Sequence, residues 1–160
     1  MLKQSENLDA IILCAGDFVE GKIQEVDRND FIRNMDVNFN YYAVNEVISL
    51  LKRTRCSKII IIGSTAAYNS YSVPIYSITK WALRGYVINL REELWQEGIG
   101  VTFISPGATL TDMWTDVELS PDRLLMPDDI AKVVDNLFEL SEQAIIEELI
   151  IRPIQGDIDE

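Results

Sequence analysis

Three side chains in this sequence have the types and spacing for acid–base chemistry on an oxygen: Ser64, Tyr76 and Lys80. They lie in the stretch 58–80, KIIIIGSTAAYNSYSVPIYSITK, where four isoleucines run into Gly63-Ser64 and a loop delivers Tyr76 ahead of Lys80. A free phenol titrates near ~10 and is a poor base at neutral pH. An ammonium one helical turn away favours the phenolate, and the positive end of a helix dipole adds to that. A phenol tuned in this way exchanges a proton with an alcohol or carbonyl oxygen, and a serine hydroxyl donating to the same oxygen holds it in place. That is the acid–base half of an alcohol–ketone redox step. Protein side chains cannot supply the hydride, so the chemistry demands a nicotinamide cofactor. The ordinary alternative is that Tyr76 packs its ring and Lys80 is a solvated charge. The elements around them decide.

The unbroken apolar run 58–62 reads as a strand buried on both faces, with Ser64 at its carboxyl end, where ligand crevices open in parallel sheets. A helix over 77–97 puts Tyr76 and Lys80 on one face at its start and stops at Gly98. Before these, 8–13 (LDAIIL) is a short strand ending at Cys14-Ala15-Gly16. Residues 27–53 carry apolar side chains at helical spacing, interrupted by Asn38 and Asn40, which predicts two helices or one kinked helix. Residues 101–104 form a third strand leading into Ser105-Pro106-Gly107. An irregular segment reaches Met126, Pro127-Asp128-Asp129 opens a helix to about Leu140, and 148–152 (ELIIR) is the last strand. Strands alternating with helices predict an α/β domain: one parallel sheet with helices on both faces.

The totals narrow the function classes. The chain of 160 residues suits one domain, and its 48% hydrophobic content is ordinary for a globular protein. A net charge of −12 with no basic run argues against nucleic acid and anionic membranes as partners. There is no histidine, which excludes Ser-His-Asp and Cys-His catalysis and removes the commonest transition-metal ligand. Cys14 and Cys56 stand in no metal-type spacing and read as reduced thiols, so no metal is expected and a cytoplasmic location is. The start, MLKQSENLD, has no apolar signal core, and no stretch approaches the ~18 apolar residues of a membrane span.

Four pieces fall at strand ends in a fixed order: Cys-Ala-Gly at 14–16, Asn38, Ser64 with Tyr76 and Lys80, and Pro-Gly-Ala-Thr-Leu-Thr at 106–111. In this the chain resembles the short-chain dehydrogenase/reductase family, over nearly its whole length from about Leu8 to Pro153. The resemblance implies a Rossmann-like sheet and reduction of carbonyls or oxidation of alcohols with NAD or NADP. It implies Tyr76 as general acid/base, Ser64 orienting the substrate oxygen, and Lys80 lowering the phenol pKa and binding the nicotinamide ribose. Asn38 matches the asparagine that kinks its helix and positions a water in the proton relay; otherwise it is only a helix interruption. Ala15 and Gly16 match the element that backs the cofactor, although Leu13 and Cys14 replace the usual asparagines; a tight strand exit would explain the glycine equally. Pro106, Gly107, Thr109 and Thr111 match the segment beside the nicotinamide. Met113, Trp114, Leu119 and Leu124 would line a substrate pocket or cover the core.

The family's glycine-rich turn and ribose-reading residue find no match; Gly98-Ile-Gly100 follows a helix and precedes a strand, the reverse of the dinucleotide arrangement. By the family pattern the chain corresponds to strands four to seven, an incomplete fold of about four strands. Its first strand would be an exposed apolar edge. Association into a homo-oligomer, dimer or tetramer, is expected through that edge or through the long helices. The leading expectation is an oxidoreductase acting on a small alcohol or carbonyl substrate, with weak or undetectable cofactor binding by these 160 residues alone. The alternative is a non-catalytic remnant serving assembly or binding. The sugar-nucleotide epimerase branch, which also uses Tyr-x-x-x-Lys, fits the Pro-Gly-x-x-x-Thr segment less well.

Overall fold

In the computed structural model, described for residues 6–39, 41–114 and 120–158, the isoleucine run forms the inner strand that its composition demands. Four strands, β1 (Ala10–Leu13), β2 (Lys58–Ile62), β3 (Gly100–Pro106) and β4 (Glu148–Ile151), make one sheet in the order β1-β2-β3-β4. Every pairing is parallel, with Ile11 opposite Ile59, Ile59 opposite Val101, and Phe103 opposite Glu148. The connections carry α1 (Arg28–Asn38), α2 (Tyr41–Leu51), α3 (Pro74–Leu94) and α4 (Pro127–Phe138).

Side chains alternate across a strand, so a run of isoleucines stays dry only if both faces are covered. Ile59 and Ile61, with Val101 and Phe103, pack against Val44, Val47 and Leu51 of α2 and against Leu83, Val87, Leu90 and Leu94 of α3. Ile60 and Ile104 face the other way, onto Val134 and Leu137 of α4. Helices thus cover both faces. The strands advance in one direction while α4 lies opposite α2 and α3, so the β3–α4–β4 crossover has the opposite hand to the β2–α3–β3 crossover.

Boundaries differ from the sequence expectation where tertiary contacts intervene. β1 begins at Ala10, because the Leu8 amide donates to the Leu50 carbonyl at 3.4 Å instead of joining the ladder. α3 begins three residues earlier than expected, since Pro74 occupies its first position. It ends in a tight turn at 95–97 closed by Gly98 at φ 72°, a left-handed conformation that suits glycine. The 27–53 region is two helices. Asp27 caps α1, its Oδ1 accepting from the amides of Asn29 and Asp30 at 2.6 and 3.0 Å, and α1 ends at Asn38. The outer side of β1 has no strand partner among the described residues, and Ile12 is 48% exposed there.

Candidate active site

The site is built where β2 ends. Gly63 is the one residue that fits there, since a Cβ on it would stand 2.1 Å from the Phe103 ring. Ser64 follows in extended backbone, and its Oγ accepts from the Ala66 amide at 3.1 Å, capping a short 3-10 turn over 65–67. The hydroxyl hydrogen is left for use elsewhere. With α3 starting at Pro74, Tyr76 falls in its first turn and Lys80 in the next. The Thr79 hydroxyl donates to the Tyr76 carbonyl at 2.7 Å and tightens that turn.

The structure brings the three side chains together. The Ser64 hydroxyl is within hydrogen-bonding reach of the Tyr76 phenol, and Lys80 Nζ lies over the Tyr76 ring, 5.2 Å from its centroid. Tyr76 keeps part of its surface open, yet burial pushes its pKa up; the Ser64 hydrogen bond opposes this and the nearby Tyr71 adds to it. The expected depression of the phenol by Lys80 is therefore not the balance found. The cation sits against the ring face, and desolvation dominates. Lys80 itself is 2% exposed, with its pKa lowered to about 8 by burial; charge on Cys14 pulls the other way.

Asn38 joins this group through its side chain. Its Nδ2 donates to the Asp17 carbonyl at 2.6 Å and to Asn34 Oδ1 at 3.0 Å, while its Oδ1 accepts from the Asp17 amide at 3.0 Å. Both amide hydrogens are thereby committed to holding the loop after β1. Gly16 lies between the two groups: a Cβ there would be 3.4 Å from Asn38 Oδ1 and 3.6 Å from Lys80 Nζ. Ala15 is exposed beside it.

Pro106, Gly107, Thr109 and Thr111 follow at the carboxyl end of β3. The Gly107 amide donates to the Ile151 carbonyl at 2.8 Å, Thr109 bridges Leu125 while its hydroxyl donates to the Gly107 carbonyl at 2.9 Å, and Thr111 is exposed. Of the pocket candidates, Leu124 is buried and covers the core, Met113 is 37% exposed, Trp114 is half-buried, and Leu119 lies outside the described residues.

Sequence reasoning missed the supports. Asn34 is fully buried one turn before Asn38, a spacing that offered a signal. Tyr71 donates to Asp157 Oδ2 at 2.8 Å and lies 3.1 Å from Thr65 Oγ1, linking the Ser64 loop to the end of the chain. Nothing local in the sequence announces a contact across 86 residues.

The profile of the short chain dehydrogenase family matches residues 1–122, and the chain belongs to that family. It is 29% identical over 156 residues to a sepiapterin reductase of Chlorobaculum tepidum, covering 95% of this chain and 64% of that protein. It is 31% identical over 118 residues to a 3-dehydrosphinganine reductase of Danio rerio, covering 69% of this chain and 36% of that one. Among solved structures, an alcohol dehydrogenase from the archaeon Thermococcus sibiricus complexed with 5-hydroxy-NADP superposes with TM-score 0.84 at 22% identity, over 96% of this chain and 66% of that one, a likeness of fold. A Serratia marcescens short-chain dehydrogenase/reductase mutant gives TM-score 0.82 at 26% identity, over 92% and 65%. The chain spans 64% and 36% of the length of these two curated relatives, and the sheet is a Rossmann-like one that is incomplete relative to full-length members. No helix among the described residues is long and apolar enough to cross a membrane.

Proposed function

We propose that this chain carries the acid–base half of an NAD(P)-dependent oxidoreductase acting on a small alcohol or carbonyl compound. The observation that carries the reading is the meeting of Ser64, Tyr76 and Lys80 at the carboxyl end of β2. Ser64 donates to the substrate oxygen and Tyr76 passes it a proton. A phenol held up by burial stays protonated at neutral pH, which suits it to act as acid toward a carbonyl.

The residues present fit the nicotinamide end of a dinucleotide. Lys80 is a buried ammonium with no hydrogen bond or ion pair among the described residues, and Gly16 leaves room beside it. Lys80 would hold the ribose, with Ala15, Gly16, Pro106, Gly107, Thr109 and Thr111 around the nicotinamide. When bound, the nicotinamide supplies or accepts the hydride. The N-terminus of α1 is no free seat for the pyrophosphate, because two of its first amides already donate to Asp27. Asn38 has no side-chain hydrogen to spare, so its part in a proton relay falls to its main-chain oxygen.

Association into a homo-oligomer is supported by α3 and the turn that closes it, whose outer face carries exposed Ile78, Trp81, Ile88 and Trp95 at steps of three, seven and seven residues. The free thiols of Cys14 and Cys56 favour a reducing cytoplasm. Titrating NADH and NADPH against the protein with tryptophan fluorescence, then supplying carbonyl compounds, tests the reading. Saturable binding followed by oxidation of the nucleotide supports it, and turnover unaffected by loss of Tyr76 refutes it.

A further inference from the structure

The loop that carries Ser64 is fastened from the far end of the chain. After the short turn over 65–67 it enters no helix or strand until Pro74, and Asn69, Ser70 and Ser72 are exposed. Two tyrosines tie it down. Tyr68 donates to Glu148 Oε2 at 2.8 Å, with Arg84 over its ring at 4.4 Å. Tyr71 donates to Asp157 Oδ2 at 2.8 Å, and its oxygen lies 3.1 Å from Thr65 Oγ1, where it can accept from the residue next to Ser64.

Asp157 is brought there by a turn. The Gly156 amide donates to the Pro153 carbonyl at 2.9 Å, and Gly156 itself takes φ 88°, a left-handed conformation. Arg152 Nε then donates to the same Asp157 Oδ2 at 2.8 Å. The other oxygen, Oδ1, is buried with no hydrogen-bond partner among the described residues. It fills the space of a missing side chain, since a Cβ on Gly107 would stand 2.5 Å from it. One carboxylate therefore meets both segments that border the site, the Ser64 loop and Pro106-Gly107. A buried oxygen without a donor is costly, so packing alone does not favour an acid at 157. A charged acceptor that fixes two donors at once does.

We propose that Asp157 and Tyr71 are positioning residues for Ser64. The carboxylate fixes the Tyr71 hydroxyl, Tyr71 fixes Thr65, and Ser64 is thereby held in reach of the Tyr76 phenol. This role rests on the acid–base reading of Ser64 and Tyr76, and its test is kept apart from turnover.

The test is a double-mutant comparison on the Tyr76 titration, followed by tyrosinate absorption and referred each time to the matching Tyr76→Phe protein. In the parent, Ser64→Ala should raise the pH at which Tyr76 ionises. With Asp157→Ala already present, the same change should move it by about half as much or less, because the hydroxyl is no longer held against the phenol. Asp157→Asn still offers an oxygen to Tyr71 and Arg152 and should restore the parental shift. Tyr71→Phe keeps the ring, loses the hydroxyl and should behave as Asp157→Ala does; it takes over the test if Asp157→Ala fails to fold. A tail that only adds stability would leave the Ser64→Ala shift unchanged. A shift of equal size in the parent and in these two backgrounds, or none in the parent, would overturn the proposal. A parent that oxidises no nucleotide would instead sink the redox reading and leave this comparison readable.

Discussion

The ammonium of Lys80 lies over the face of the Tyr76 ring, 5.2 Å from its centroid, and both side chains are held in the first two turns of α3. Burial drives the two groups toward their neutral forms: the phenol is pushed up and the ammonium is brought down to about 8. What lowers the phenol here is the hydroxyl of Ser64.

Lys80 should therefore cost the chain stability at neutral pH. Below about 8 the group is charged in both the folded and the unfolded chain, and the burial penalty is present in full. As pH rises from about 8 toward the ordinary 10.5, the folded state sheds the proton first and the penalty relaxes. Lys80→Met is expected to raise the urea-unfolding free energy at pH ~7 by up to roughly 3 kcal/mol, with the gap closing by pH ~10.5. A gap constant with pH would contradict this.

Ser64→Ala removes the hydrogen bond that lowers the Tyr76 pKa. Tyrosinate absorption, compared with that of Tyr76→Phe, should show the Tyr76 phenol ionising at higher pH than in the parent. The same change deletes the cap on Ala66 and should cost ~1 kcal/mol. An unmoved Tyr76 titration would detach Ser64 from the phenol.

Asn38→Ala leaves the buried Asn34 oxygen and both main-chain groups of Asp17 without their partner. About 2–3 kcal/mol of stability should be lost, read from the urea midpoint. The loop 14–17 should exchange its amides faster. A loss under ~0.5 kcal/mol would mean that water replaces the side chain without penalty.

Trp81→Glu with Ile88→Glu places charge in the exposed stripe of α3. Sedimentation should show the parent as an oligomer and the double variant as a monomer with unchanged circular dichroism. Equal masses for the two would remove α3 from the interface.

Much of this was legible in the sequence because the strands are short and apolar and the helices have clear stops. The stretch 58–62 could be bounded to the residue, since Lys58 and Gly63 flank an uninterrupted run. α3 starts three residues before the expected 77, at Pro74, whose ring suits a first helical position. The meeting of Ser64, Tyr76 and Lys80 followed from spacing and strand order; the charge balance among them did not, because desolvation depends on how α3 packs, which no local pattern encodes. Asn38 was visible as an interruption, yet its partner Asp17 lies 21 residues away and offers only main-chain atoms. Main-chain partners leave no trace in residue identity.

The most direct measurement is the rate of nucleotide oxidation with a reactive carbonyl substrate in the parent protein and in Tyr76→Phe. The proton donor is lost while the ring and its packing are kept. A fall of about 10²–10⁴-fold with cofactor affinity within twofold is the predicted result. Equal rates in the two proteins would show that the phenol of Tyr76 does not carry the chemistry.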